Sequence, residues 1–313
     1  MPKTKSHPTF RITLPATSAN LGPAFDAAAL AFDIHLKLEA RLAATDSIVA
    51  TGRDSAICGA VENHLILTTY REVMRANGHP PEPLALKIHN DIPIGKGCGS
   101  SAAARLAGIA FANHYGRLRW TDSHIVGEAS RREHHPDNAS ACWMGGLTVA
   151  RMSGDAEAQV ARFQPKGNWP LLLAIPPDPL STEEARRVLP TQYSRADAVT
   201  NIQNSMLLLA AFAQGRPDFL RSALDDRIHQ PYRAPLCPLL PAIQQLAGTD
   251  GIVGAALSGA GPSVLIFLDP HRKIAAKKIA ARVAVHVAHK NLKAELILTK
   301  IAAKGAATTQ RAS

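Results

Sequence analysis

The chain has 313 residues, 46% hydrophobic and 19% charged, enough for a buried core in one large or two modest domains, which excludes wholesale disorder. Its 21 Gly and 22 Pro are too few for a fibrous or low-complexity chain. The net charge of +10 is local: ten basic residues and the single acid Glu295 fall in 271–313, so a basic tail raises nucleic acid or a membrane surface as partners.

Phe10, Ile12 and Leu14 alternate with polar residues and predict a strand that Pro15 ends. Leu36, Leu38 and Ala40 predict a second. Residues 63–76 lack Gly and Pro and carry Leu67, Tyr70 and Met74 at helical spacing, a helix closed by Asn77-Gly78. Leu84, Leu86 and Ile88 form another strand, then a glycine-rich turn leads into an Ala-rich helix from Ser101. Residues 147–150 read as a strand, and the polar stretch 153–169 reads as a domain boundary. A strand over 171–175, a helix over 201–213, strands over 252–257 and 264–268, a helix over 272–289 and a strand over 295–301 complete the chain. Strands and helices interleave without strict βαβ repetition, which predicts an α+β fold.

The first 15 residues have no apolar core of a signal peptide, and no apolar run is long enough to span a bilayer. The four cysteines are scattered without C-x-x-C spacing, so neither structural zinc nor a disulfide framework is expected. A reduced, cytoplasmic protein is the expectation.

Three segments carry chemistry. In Pro93-Ile94-Gly95-Lys96-Gly97-Cys98-Gly99-Ser100-Ser101, glycines at alternate positions separate a strand from a helix. Successive N–H groups there form an anion nest, and the helix N-terminus adds its dipole. The spacing fits neither a Walker A nor a dinucleotide loop, and a plain turn with a capped helix fits the composition equally. Residues 15–26 (P-A-T-S-A-N-L-G-P-A-F-D) read by themselves as a turn, and residues 256–264 (A-L-S-G-A-G-P-S-V) as a tight hairpin. His134 and His135 are neighbours and point apart, so zinc is not expected between Glu128 and Asn138. One carboxylate serving Mg²⁺ beside a substrate's phosphates is more natural there.

Taken together and in this order, P-A-T-S-A-N-L-G-P, P-x-G-x-G-x-G-S-S-A-A and L-S-G-A-G-P-S resemble the GHMP small-molecule kinases. The segments His135-Pro136-Asp137-Asn138 with Gly145-Gly146, 181–190 (S-T-E-E-A-R-R-V-L-P) and Pro231-Tyr232-Arg233 are most similar to the homoserine kinase family. The resemblance covers residues 15–267. It implies a two-domain α+β fold, 1–165 and 166–313, with the active site between the domains. It implies ATP-dependent phosphorylation of the L-homoserine hydroxyl to O-phospho-L-homoserine, on the route to threonine.

The resemblance assigns Pro93 and Gly95–Ser101 (Lys96, Gly97, Cys98, Gly99 and Ser100 included) to the ATP phosphates, with Ser100 and Glu128 as Mg²⁺ ligands. Asn63 stands where the family contacts adenine, though a helix N-cap explains it as well. Homoserine is a zwitterion. Asp26 and Asn20 suit its ammonium, and the planar forks of Arg186 and Arg233 suit its carboxylate. Taken singly, each arginine reads as a surface residue. His135, Asn138, Thr182, Gly259 and Gly261 line the same pocket, Asn138 and Arg186 orient the hydroxyl and offset developing charge, and Asp137 stands where some GHMP kinases place a base. Ala24 replaces the family's usual Gly, which strains the loop if a positive φ is needed there. Cys98 replaces a Leu and is expected to pack beneath the loop, and Glu133-His134-His135 replaces Glu-Gly-His.

Two other readings compete: a GHMP kinase with a different alcohol acceptor, and a non-catalytic GHMP-fold binding protein associated with nucleic acid through its basic end. Within helix 272–289, however, Ala276, Ile279, Ala280, Val283 and Val287 share one face away from Lys277, Lys278 and Arg282. The basic residues are therefore the solvated side of a packed helix, with only the last dozen residues a loose tail. No nucleic-acid or membrane partner is expected, and the family suggests a homodimer.

Overall fold

The computed structural model describes residues 9–272 and 274–307. The first part of the chain runs β1 (Phe10–Ala19), β2 (Ala28–Leu42), β3 (Ser47–Gly52), α1 (Ser55–Gly59), α2 (Leu65–Ala76), β4 (Leu84–Asn90), α3 (Ser100–Tyr115), α4 (Asp122–Glu133), α5 (Asp137–Met144), β5 (Leu147–Gly154) and β6 (Glu157–Phe163). The second runs β7 (Pro170–Ile175), α6 (Thr182–Arg187), α7 (Arg195–Gln214), α8 (Pro217–Ala223), α9 (Gln230–Arg233), α10 (Leu239–Gln244), β8 (Ile252–Leu257), β9 (Val264–Leu268), α11 (Ala276–His289) and β10 (Glu295–Lys300).

The long strand β2 organises the first sheet, pairing β1 along one edge and β4 and β5 on successive stretches of the other. Pro15 does not end β1. The strand continues to Ala19 through a register shift between Pro15 and Ala16, where the missing proline N–H is tolerated. That continuation carries Thr17, Ala19 and Asn20 towards the glycine loop. The polar stretch expected as a boundary contains β6, an edge strand on β5, polar because only one face is covered. Asn63 caps nothing: α2 starts at Leu65 behind His64, and Asn63 is left-handed with φ 53°.

The second sheet is antiparallel in the order β10-β7-β9-β8. In β7, Leu171 and Leu173 join Leu208 and Phe212 of α7 in the main core. Leu172 and Ala174 face Ile243 of α10 and Val283 of α11 in a second core. Both faces are covered, so this strand is a continuous apolar run. The main core extends to Phe32 and Trp143 of the first part, so the sheets share one interior. Ile279, Val283 and Val287 of α11 are buried while Lys277 and Lys278 are exposed, as their spacing predicts.

Part of the expected loose tail is packed. Ala302 exchanges backbone hydrogen bonds with Ala31 and Gly146, and Gly305 lies so close to Trp143 and Gly145 that no Cβ would fit. Residues 308–313 of that tail, Lys273 of the helix expected over 272–289, and residues 1–8 of the segment where no signal peptide is expected lie outside the described residues.

Candidate active site

The three motifs form one interlocked structure. Gly95, Gly97 and Gly99 have φ of 69°, 74° and 70°, the left-handed region that glycine enters without penalty. Space excludes side chains as well. A Cβ on Gly97 would collide with the Ser258 carbonyl and lie 2.6 Å from that of Gly261, and one on Gly99 would overlap the Thr17 hydroxyl. Ser258 Oγ donates to the Gly97 carbonyl at 2.7 Å. Thr17 N–H donates to the Cys98 carbonyl at 3.1 Å, and Gly259 N–H to the Ala19 carbonyl at 3.2 Å. Asn20 closes the triangle: its amide donates to the Gly259 carbonyl at 2.8 Å, and its Oδ1 accepts from the Asp26 N–H at 2.9 Å. The turn and the hairpin are thus two walls of the glycine loop's seat.

Beneath the loop Cys98 is buried, as expected, and burial pushes its thiol pKa up to about 12, which leaves it inert. Ala24 is not among the left-handed residues; positive φ falls on Asn20, Leu21, Gly22 and Asp26 instead, so the alanine carries no such strain. Gly99 occupies the N-cap of α3 with no side-chain cap. Ser101 turns to donate to Glu133 Oε1 at 2.6 Å, an oxygen that also accepts from Arg105 at 2.5 Å.

A cavity of about 710 Å³ opens beside this seat. At one end it is lined by Ile57, Ile88 and Ile92 with Asn63, and at its middle by Gly95, Gly97, Cys98, Gly99, Ser100 and Ser101. At the other end stand Asp26, His135, Asp137, Asn138, Arg186 and Arg233, with Asn20, Thr182, Gly259 and Gly261 on its rim. Three expected site residues are not part of its lining. Pro93 is buried behind the loop. Lys96 donates its ammonium to the Pro177 carbonyl, tying the loop to the segment before α6, and burial lowers its pKa. Glu128 is 7% exposed and accepts from Arg131 at 2.8 Å and Arg132 at 2.9 Å, so its carboxylate is committed within its own helix. Glu133, five residues on and so about 140° around α4, is the acid that lines the cavity.

At the far end, charges from distant segments converge. Asp137 opens α5, 1% exposed, and its Oδ1 accepts from the Asn138 N–H at 2.6 Å. The same oxygen lies 2.6 Å from His135 Nδ1. Burial by itself lowers the His135 pKa, but the hydrogen bond and charge of Asp137, then the charge of Asp26, outweigh it and leave the pKa raised. His135 therefore donates to Asp137. His134 is left-handed and away from the site, as neighbouring histidines must diverge. Ligating atoms of Asp26, His135 and Asp137 all lie within 4.8 Å of one another, a cluster that sequence spacing did not show because Asp26 comes from the loop after β1. Asn138 Oδ1 accepts from the Thr17 hydroxyl at 2.7 Å, which turns the amide group over the loop.

Opposite them, Arg186 donates to Asp26 Oδ1 at 2.7 Å. Arg233 is 1% exposed, donates from Nε to the Ala185 carbonyl at 2.9 Å, and lies 3.1 Å from His229 Nδ1. Burial lowers its pKa to about 10, so it keeps its charge at neutral pH. Both guanidinium carbons sit 5.4 Å from the ring centre of Phe25. Thr17, Phe25, Glu133, Asp226 and His229 escaped the sequence reading. The i, i+4 spacing of His229, which precedes α9, and Arg233 at its end is a sequence signal that could have found one of these contacts.

A glycine-seated helix N-terminus beside a charged acceptor pocket, on this α+β frame, defines a small-molecule kinase of the GHMP class. The family model for the GHMP kinases N terminal domain matches residues 64–146, and that for GHMP kinases C terminal matches residues 208–285. The homoserine kinase of Solibacter usitatus is 42% identical over 264 residues, covering 84% of this chain and 86% of that protein. That of Synechocystis sp. is 36% identical over 96% of this chain and 99% of its own length. The crystal structure of homoserine kinase from Cytophaga hutchinsonii shares the fold with a TM-score of 0.80 at 22% identity, over 97% of this chain and 98% of that one. The chain belongs to the homoserine kinase family of the GHMP kinases.

Proposed function

We propose that the protein transfers the γ-phosphoryl group of ATP to the hydroxyl of L-homoserine, giving O-phospho-L-homoserine for threonine synthesis. The observation that carries this reading is the polarity of the acceptor end. Asp26, His135 and Asp137 face Arg186 and Arg233 in the cavity that holds the glycine loop. An α-amino acid with a terminal hydroxyl complements both charges at once. Arg186 and Arg233 bind its carboxylate, and Asp26 with the Asn20 amide oxygen binds its ammonium. Thr182, Gly259 and Gly261 close around the chain. The glycine loop from Gly95 to Ser101 receives the phosphates, and Asn63 contacts the base.

Phosphoryl transfer asks mainly for positioning and charge stabilisation. Asn138, held by Thr17, orients the acceptor hydroxyl. Asp137, held by His135 and the Asn138 N–H, accepts the hydroxyl proton or fixes its direction. Ser100, Ser101 and Glu133 offer hydroxyl and carboxylate oxygens at the loop exit, a donor set that fits Mg²⁺. Ser100 and Glu133, rather than Ser100 and Glu128, would hold the ion, Glu133 keeping Oε1 on Ser101 and Arg105 and offering its other oxygen, and the bound ion would offset charge on the phosphates.

The domains are 1–165 and 166–313, with the site between them. Among the described residues no helix is long and apolar enough to cross a membrane. The reading includes a cytoplasmic homodimer that acts without nucleic acid, which sedimentation at several protein concentrations tests. The activity is tested with ATP, Mg²⁺ and a panel of L-homoserine, mevalonate and galactose. Homoserine is expected to be the acceptor. Product from either rival and none from homoserine overturns the reading.

A further inference from the structure

We propose that His229 is a positioning residue for acceptor recognition: it holds Arg233 and Phe25 in register with the loop that carries Asp26. The inference rests on the homoserine reading and adds a residue that the reading does not use.

His229 is fully buried, at 0% exposure. Its Nε2 lies 2.8 Å from the Gly22 carbonyl, which can only accept, so Nε2 carries the hydrogen. Nδ1 therefore keeps its lone pair, and Arg233 Nη1 donates to it at 3.1 Å. One ring thus bridges the loop after β1 and the arginine of α9, in a single tautomer. The ring also stacks on Phe25, centroids 5.1 Å apart and planes 27° apart. Phe25 in turn lies beneath both Arg186 and Arg233.

The support behind His229 is itself fixed. The Asp226 carboxylate accepts the N–H groups of Ile228, His229 and Gln230, at 2.8, 3.1 and 2.6 Å. Gln230 Oε1 accepts from Leu257 N–H at 2.8 Å, which anchors the turn to β8. Arg233 has five N–H groups; Nε is spent on Ala185 and one on His229, so the remaining three point from a fixed guanidinium plane. A planar fork discriminates a carboxylate only if its plane is set before the ligand arrives.

The ring is held neutral. Its surroundings are Asp226 at 3.4 Å, Arg233, Asp26 and the Gly22 carbonyl. Burial dominates and brings its pKa down to about 4. A second ring N–H would face Arg233 and lose its acceptor role.

The test compares L-homoserine with 3-aminopropan-1-ol, which keeps the hydroxyl and ammonium but has hydrogen in place of the carboxylate. In the wild-type enzyme homoserine is expected to have the larger kcat/KM. His229→Leu removes both ring contacts. We expect the KM for homoserine to rise about tenfold or more, the KM for ATP to stay within about twofold, and the preference for homoserine over the amino alcohol to shrink by the factor lost. His229→Gln keeps an N–H for Gly22 and an oxygen for Arg233, and is expected to recover most of that preference. Should the leucine variant fail to fold, His229→Ala removes the same two contacts and is expected to show the same loss. Paired with Arg233→Ala, His229→Leu should add little further loss on homoserine, because the residue acts through the arginine. Unchanged preference in a folded leucine or alanine variant, or equal loss on both acceptors, overturns the role. If the wild-type enzyme phosphorylates no homoserine, the acceptor assignment has failed, a result visible before any variant is made.

Discussion

At the glycine-loop end of the cavity, the end proposed for the nucleotide, the loop is built chiefly from backbone: glycines at positive φ, a helix N-terminus, and carbonyls locked by Thr17 and Ser258. At the acceptor end they are charged side chains from the loop after β1, α5, α6 and α9. Phosphate is a common ligand that any correctly folded run of N–H groups can bind. An amino acid must be told from other alcohols, and that needs fixed charges, each with a partner of its own because it is partly removed from water. The nucleotide end should therefore fail through shape, and the acceptor end through unpaired charge.

The largest effect should come from Arg233→Ala. It deletes a buried cation and leaves the Ala185 carbonyl and His229 without their donor. We expect kcat/KM for homoserine to fall about 1,000-fold, in the range for truncating one partner of a buried charged pair, with the KM for ATP little changed. A comparable loss in ATP binding would erase the distinction between the ends. Asp137→Asn comes next. If Asp137 takes the proton, kcat should drop at least about 100-fold with binding of both substrates retained. Near-normal kcat would sink the base role and leave Asp137 as a holder of His135.

Gly97→Ala tests the opposite end. The added methyl meets two carbonyls of the 258–261 turn, so the loop must move off its seat. A shift of about an ångström should cost about 100-fold in kcat/KM for ATP while homoserine affinity, measured by calorimetry without nucleotide, persists. Smaller still is the paired change at α4. Glu133→Gln should raise the Mg²⁺ concentration for half-maximal activity about tenfold, whereas Glu128→Gln should leave it within about twofold. The reverse order would restore Glu128 to the metal and remove Glu133 from it.

What the sequence revealed follows the same division. The strands 252–257 and 264–268 and the helix after the glycine loop are local patterns, and they fold where the pattern says. The glycine loop is legible because every element of it lies within nine consecutive residues. The acceptor pocket has no such local signature; Asp26 and Arg186 are 160 residues apart and meet only in space, so resemblance alone brought them together. Lys96 looked like a phosphate ligand because nothing nearby shows that Pro177 would take its ammonium. Glu128 and Glu133 are equally acidic, equally helical and both ion-paired, and only their angular positions on α4 bring Glu133 and not Glu128 to the cavity wall. Pro15 misled for the converse reason: a local strand-breaker is overruled when the neighbouring strand supplies a bulge.

The smallest effect, and the one that isolates a single contact, is the pH dependence of His135. Its folded pKa is raised above the ordinary 6.5, with burial opposing and Asp137 then Asp26 prevailing. A raised histidine pKa means that the folded state binds the proton more tightly than the unfolded chain. The contact thus stabilises the fold fully below about pH 6.5 and loses that contribution as pH rises through the folded value. The side chain is 8% exposed, so solvent screening does little to weaken the pair. His135→Gln keeps a hydrogen-bonding side chain but has no proton to lose in this range. The melting temperature of the wild type relative to that variant should therefore be highest near pH 6 and decline towards pH 8.5. A difference that stays flat or grows with pH would mean that Asp137 does not raise the His135 pKa, and that a neutral imidazole N–H is what orients the carboxylate.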